Sequence, residues 1–177
     1  MASGRSPGGR APAADPAGVE RLYRGQRLSM VRLALLLVDD RETAEDVAQD
    51  AFAALHRHWP ALASEDAALA YLRRCVVNGA RSVLRRRRTV RRHPQPDEAS
   101  LTADSADRRV LLAEEHREVI AALRRLPTRQ REVIVLRYWS ELTEPQIAHA
   151  LGISVGAVKS MASRGRAAIA ATLGGAS

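Results

Sequence analysis

The sequence predicts an all-α protein: two small helical domains joined by a flexible linker, the C-terminal one a helix-turn-helix. Three observations predict it. Apolar residues recur at helical spacing along most of the chain, and no run alternates as a half-buried strand does. From Thr89 to about Asp107 the periodicity gives way to Pro94, Pro96, several Ser and Thr and scattered acids. Beyond that break, Thr143–Arg166 (TEPQIAHALGISVGAVKSMASRGR) reads as two helices either side of a glycine turn. The expected division is a disordered tail at 1–16, a first domain at 17–92, a linker at 93–107 and a second domain at 108–173.

The tail is rich in Gly, Pro, Ala and Ser and has too few large apolar side chains to offset the entropy of ordering. From about Val19 to Val38 a helical stripe runs through Val19, Leu22, Tyr23, Met30, Leu33, Ala34 and Leu37. Asp39 or Asp40 is placed to cap the next helix, which runs to about Trp59 before Pro60. Its Ala44, Val47, Ala48, Ala51, Leu55 and Trp59 turn inward, while Glu42, Asp46, Gln49, Asp50 and Arg57 turn outward. Composition alone reads that outer face as solvated. An acidic face is a poor surface for DNA, so any partner there would be a protein.

After a loop at Pro60–Ser64, a third helix starts near Glu65 with the stripe Leu69, Leu72, Val76, Gly79 and Val83, and Cys75 beside it. Opposite lie Arg74, Asn78, Arg81, Arg85 and Arg88, at steps of four, three, four and three. Loose basic tails keep no such register, so the ridge points to a phosphate backbone. Asn78 within it could read an adenine edge or serve as an exposed spacer, and the residues leave both open.

Past the linker a helix reaches Leu126, with Leu112, Val119, Ala122 and Leu123 on its apolar side. Pro127 breaks it, and Thr128 is placed to cap a helix containing Val133, Ile134, Leu136 and Tyr138, ended by Trp139. Thr143 and Gln146 have capping-box spacing, and Pro145 falls in the first turn, where its missing N–H costs nothing. Ile147, Ala148 and Leu151 face inward, Gly152 is a left-handed stop, and Ser154 caps the second helix. On that helix Val158, Ala162, Gly165 and Ile169 share one side. The opposite face, with Gly156, Ser160, Ser163 and Ala167 flanked by Lys159, Arg164 and Arg166, is small, polar and cationic, as entry into a major groove requires. Gly174–Ser177 should fray.

The formal charge of +8 is uneven: residues 71–93 hold nine arginines and no acid, residues 94–123 three arginines and seven acids, and residues 124–177 eight basic residues and three acids. Two basic blocks flanking an acidic one imply two contacts with a polyanion. The lone Cys75 excludes an internal disulfide and points to a reducing compartment. The longest apolar run, Leu33–Val38, is too short to span a bilayer, and no signal-peptide core is present, so a cytoplasmic location is expected. The histidines do not cluster at ligand spacing, so no metal and no cofactor is expected. No nucleophile–base set, paired carboxylates or phosphate-cradling glycine loop can be assembled, which argues against an enzyme.

Taken together, AEDVAQDAF (Ala44–Phe52), AYLRRCVVNGARSVLRRRR (Ala70–Arg88) and LPTRQREVIVLRYWSELTEPQIAHALGISVGAVKS (Leu126–Ser160) resemble, in order and separation, three motifs of the extracytoplasmic-function sigma factors of bacterial RNA polymerase. The resemblance spans about Val19–Arg92 and Glu114–Leu173 and is strongest to the SigE-like actinobacterial branch. It implies a specificity subunit without chemistry of its own that binds core RNA polymerase and promoter DNA. On that likeness Asp46, Gln49 and Asp50 would dock on the clamp helices of the largest polymerase subunit, which reverses the solvated reading of the acidic face. Arg74, Asn78, Arg81, Arg85 and Arg88 would engage the −10 element, and Pro60–Ser64 would lie near an extruded non-template base. Unstacking costs about a few kcal/mol per step, offset in the family by capture of the displaced strand. Lys159, Ser160, Ser163 and Arg164 would face the −35 major groove, with Arg166 near a phosphate. Members of the class are often held inactive by an anti-sigma factor, a partner implied by the resemblance and not by any residue here.

Two departures bear on the −35 sequence. Met161 stands where family members often carry Arg, and Gly165 replaces a more usual Ala, at about 1 kcal/mol in helix propensity. The competing reading is a free-standing helix-turn-helix regulator that binds duplex DNA unaided. It leaves the arginine ridge and the acidic helix without a role.

Overall fold

The computed structural model describes residues 16–38, 40–92 and 117–174, and every regular element among them is a helix. Residues 1–15 of the expected tail, the linker at 93–107, Leu112, Asp39 and the last three residues lie outside the described residues, whereas Pro16, expected in the tail, is helical.

Helix α1 (Pro16–Leu37) opens on a proline, whose missing N–H is harmless in a first turn. Its N-terminal half is amphipathic. Its C-terminal end, Leu33–Leu37, and the Val38 that follows it are buried on every side. The all-round apolarity has a packing cause. One flank of α1 lies against α2 (Arg41–His58) and α3 (Glu65–Arg92), and the other against α4 (Arg117–Arg125) and α5 (Thr128–Tyr138). A helix gripped from both sides must be apolar all round.

Asp40 is the cap that starts α2: its Oδ1 accepts from the Thr43 amide at 2.8 Å. Ala44, Val47, Ala48, Ala51, Phe52 and Leu55 face the core, and Trp59 is buried just past the helix end. Trp59–Ala61 form a 3-10 turn, so the loop expected at Pro60–Ser64 is partly ordered helix. The Trp59 ring lies over Gly18, where an added Cβ would come within 2.5 Å of Cζ2. Ser64 then caps α3, its Oγ accepting from the Ala67 amide at 3.1 Å.

The 28 residues of α3 extend about 42 Å at the α-helical rise. The helix runs through Thr89 to Arg92, so the arginine block remains on a rigid rod to its end. Ala68, Leu72, Val76, Val77 and Ala80 form its fully buried side, broader than the expected stripe, of which Leu69, Gly79 and Val83 are only half-buried.

In the C-terminal half, α4 turns Ala122 and Leu123 inward but leaves Val119 exposed, contrary to expectation. Thr128 is the first residue of α5 and does not cap it; Pro127 holds the cap position and no side chain caps there. Val133, Ile134 and Leu136 are buried as expected, whereas Tyr138 faces outward; Arg131 and Glu132 are buried instead. Helix α6 (Glu144–Leu151) begins with Gln146 Oε1 accepting from the Thr143 amide at 2.8 Å and its hydroxyl at 2.9 Å. It ends at Gly152, whose φ of 64° and ψ of 42° are left-handed. Ser154 Oγ accepts from the Ala157 amide at 3.2 Å and starts α7 (Val155–Gly174). The helix-turn-helix therefore forms as its residues dictate. The two halves share one continuous apolar core from Leu22 to Val158.

Candidate nucleic-acid interface

Three helix faces carry the chemistry. On α2, the caps and inward alanines leave Asp46, Gln49 and Asp50 exposed together. On α7, burial of Val158 and Gly165 turns Lys159, Ser160, Ser163, Arg164 and Arg166 outward, and all five are exposed. Lys159 Nζ lies 3.8 Å from Glu144 Oε2, and Arg164 Nε donates to the Ser160 carbonyl at 3.4 Å. These are weak solvent-facing tethers that a ligand could displace.

The ridge on α3 is less uniform than its spacing suggests. Arg74, Asn78, Arg85 and Arg88 are exposed, whereas the Arg81 side chain retains 22% of its accessibility. Arg81 donates from Nε and Nη2 to the two carboxylate oxygens of Glu132, both at 2.6 Å, and Glu132 is 2% exposed. Arg81 Nη1 also donates to Asn78 Oδ1 at 3.3 Å. Arg88 Nη2 donates to Thr128 Oγ1 at 3.0 Å, the role that replaces the expected cap. Sequence reasoning missed Glu132 because an acid among charged neighbours on a short helix gives no sign of burial.

Arg87, out of register with the ridge, turns back to α2. Its Nη2 donates to Asp40 Oδ2 at 2.8 Å and to Thr43 Oγ1 at 2.6 Å. Burial works against the Asp40 carboxylate, but the Thr43 hydroxyl and amide and the Arg87 guanidinium outweigh it and hold its pKa below the usual carboxylate range. Near the N-terminal end of α3, Tyr71 stacks on His58 with ring centroids 5.0 Å apart. Burial pushes the Cys75 thiol up, and it pushes the neighbouring Tyr71 phenol up too.

An apolar groove of about 660 Å³ opens where α1, α4, α5 and α7 meet, walled by Leu36, Leu123, Val135, Trp139 and Ile169, with Arg166 along it. Among the described residues no group of three or more His, Cys, Asp and Glu is placed to hold a metal ion, and no helix is long and apolar enough to cross a membrane.

Comparison with known proteins agrees with this geometry. Residues 22–90 match the family model for Sigma-70 region 2, and residues 116–169 match that for Sigma-70, region 4. The first segment holds the acidic face and the ridge; the second holds the helix-turn-helix. The chain is 32% identical over 145 residues to the RNA polymerase sigma-E factor of Streptomyces coelicolor, covering 80% of this chain and 77% of that protein. It is 32% identical over 162 residues to the ECF RNA polymerase sigma factor SigM of Mycobacterium tuberculosis, covering 92% and 80%. Among solved structures it is similar to CnrH in complex with the cytosolic domain of CnrY, with a TM-score of 0.67, 25% identity and 94% of each chain covered. RpoE of Bartonella quintana, solved with the anti-sigma factor NepR, shares the fold at a TM-score of 0.69 and 23% identity. With both sigma regions in order on one chain, this protein belongs to the extracytoplasmic-function sigma factors, which direct promoter-specific transcription.

Proposed function

We propose that this sigma factor divides its work among the three faces just described. Asp46, Gln49 and Asp50 on α2 bind core RNA polymerase through the clamp helices of its largest subunit. Arg74, Asn78, Arg81, Arg85 and Arg88 on α3 engage the −10 element, the arginines on phosphates and Asn78 on a base edge. Lys159, Ser160, Ser163 and Arg164 on α7 read the −35 major groove, and Arg166 holds a phosphate there. The observation that carries this reading is the segregation of charge. One exposed acidic face lies on a different helix from two cationic ones. The α7 face is exposed throughout and the α3 ridge is exposed at Arg74, Asn78, Arg85 and Arg88, and each of the three helices buries its back.

In this role the chain supplies recognition and strand capture and no bond-making chemistry. Its expected place of action is the cytoplasm, where polymerase and promoter are. An anti-sigma factor is a further proposed partner, supported by the Bartonella quintana RpoE structure, which holds one. The free-standing regulator is not favoured, because it leaves the region 2 match at residues 22–90 without a role.

In vitro transcription with core polymerase, followed by mapping of start sites, tests the proposal. Initiation at discrete promoters only when this protein is added is expected. Sequence-specific duplex binding by the protein alone, with no change in polymerase output, would overturn it.

A further inference from the structure

An acid stands among the cations of the helix-turn-helix. Glu144 is the first residue of α6, next to Thr143, whose amide and hydroxyl are tied to Gln146 and fix the backbone there. Its side chain is 27% exposed, and its two oxygens face cations on two other helices. Oε1 lies 3.7 Å from Arg137 Nη1 near the end of α5, and Oε2 lies 3.8 Å from Lys159 Nζ on α7. Neither pair adds much to stability, because both are partly solvated. Their joint effect is geometric. Arg137 engages one oxygen, so the carboxylate turns the other towards Lys159.

That orientation matters because lysine is a point charge on a flexible stem, free to settle on any phosphate in reach. An ammonium has three donors, so Lys159 can stay beside the carboxylate and still donate to guanine O6 or N7. A base edge carries no net charge and meets no repulsion there. A phosphate brought to the same ammonium would face the Glu144 carboxylate, anion against anion. The carboxylate therefore penalises the contact that carries no sequence information more than the one that does.

We infer that Glu144 is a positioning residue for −35 recognition: anchored by Arg137, its carboxylate holds the Lys159 ammonium for a base edge and keeps it off phosphates. The inference rests on the proposed −35 role of Lys159 and adds what makes that lysine selective. Glu144 lowers affinity for DNA of any sequence and raises the ratio between the right and the wrong −35 element.

The test uses holoenzyme assembled from core polymerase and the full chain. The probes are a labelled promoter fragment, located by start-site mapping, and the same fragment with its −35 element scrambled. Anisotropy titrations at several salt concentrations read both affinities, their ratio and the salt dependence; circular dichroism of the free chain checks folding. Glu144→Gln should bind the scrambled fragment about five-fold more tightly, with a salt dependence steeper by about one unit, as one added phosphate contact requires. Its affinity for the intact fragment should rise by less, so the ratio falls about three-fold. Glu144→Asp keeps the net charge but withdraws the carboxylate by one methylene from a lysine already 3.8 Å away, and should lower the ratio part of the way. A change of net charge alone cannot do that. In a Lys159→Ala background, Glu144→Gln should leave the ratio where it is, because the group it positions is gone. An equal rise on both fragments, a fall on both, or a ratio still lowered by Glu144→Gln without Lys159 would overturn the inference and leave Lys159 in place. A ratio unmoved by Lys159→Ala alone would instead overturn the −35 role of Lys159.

Discussion

Gly165 of α7 lies so close to Ile134 of α5 that a Cβ added at residue 165 would stand 2.7 Å from Ile134 Cγ1 and 3.1 Å from Cδ1. Cγ1 is bonded directly to Cβ, so it cannot swing aside as the tip of a long side chain would. The glycine that looks costly in helix propensity is therefore what lets the recognition helix seat on its support. Gly165→Ala gains about 1 kcal/mol of propensity, but overpacking costs about 1–3 kcal/mol. Thermal unfolding should show a net loss of up to about 2 kcal/mol. A variant more stable than the wild type would show that the two helices are not pressed together as described.

Asp40 ties the start of α2 to the far end of α3 through Thr43 and Arg87. Asp40→Ala should cost about 1 kcal/mol from the lost cap alone, with the exposed part of the Arg87 pair adding little. The pH dependence has a definite sign. The folded-state pKa is depressed, so the native state holds this proton less tightly than the unfolded chain. The stabilisation is present above the unfolded value, about pH 4, and is lost as pH falls through the lower folded value. Denaturant melts should show Asp40→Asn closing its stability gap to wild type as pH drops below about 4. A gap that stays constant down to pH 2 would rule out this linkage.

Most of the site was legible because it obeys local rules. Thr143, Gln146, Gly152 and Ser154 are caps and stops whose chemistry acts within a few residues, and each marks the helix start or stop that its type dictates. The exposure of Asp46, Asp50, Lys159 and Arg164 follows from periodicity in the same way. Arg81 was legible as a ridge residue but not as the partner of Glu132, 51 positions away, because periodicity says nothing about what crosses between helices. Leu33–Val38 did carry a signal. A run apolar on every side is too much for a helix with one buried face, and its second neighbour is the C-terminal half. Tyr138 failed for a different reason: it is the last residue of α5 and borders the open groove between α1, α4, α5 and α7, so it stays exposed at an apolar-periodic position.

Cys75 should be a slow nucleophile. Burial beside Tyr71 pushes its thiol up, so the reactive thiolate is scarcer at pH 8 than for a free cysteine. Alkylation by iodoacetamide should be about ten-fold slower than for the denatured chain and should rise with pH past the point where a free thiol levels off. Equal rates in the native and denatured states would contradict the buried, protonated thiol.

Asp50 is exposed on α2, so its substitution tests recognition without disturbing the core. Asp50→Arg reverses the charge on the proposed polymerase-binding face. Like charges placed against each other in an interface cost several kcal/mol, enough to abolish co-purification with core polymerase. The circular dichroism spectrum and melting temperature should be unchanged to within about 0.5 kcal/mol, as for other surface substitutions. Undiminished co-purification would move the polymerase contact away from this face.

Arg164 separates two ways in which α7 could bind DNA. Among the described residues it is tethered only weakly, to the Ser160 carbonyl at 3.4 Å within the same exposed helix, so Arg164→Ala should leave stability nearly unaltered. If the guanidinium reads a base edge, the substitution should cost about 1–3 kcal/mol at the preferred −35 sequence and relax preference at one position. If it binds a phosphate, all promoters should weaken alike and the salt dependence should become shallower by about one unit. The exposed small face of Gly156, Ser160 and Ser163 brings the helix close enough for the first outcome, which is the one expected. A set of −35 promoter mutants transcribed by wild type and Arg164→Ala holoenzyme decides between them. Identical ranking and identical yields across the set would remove Arg164 from the interface altogether.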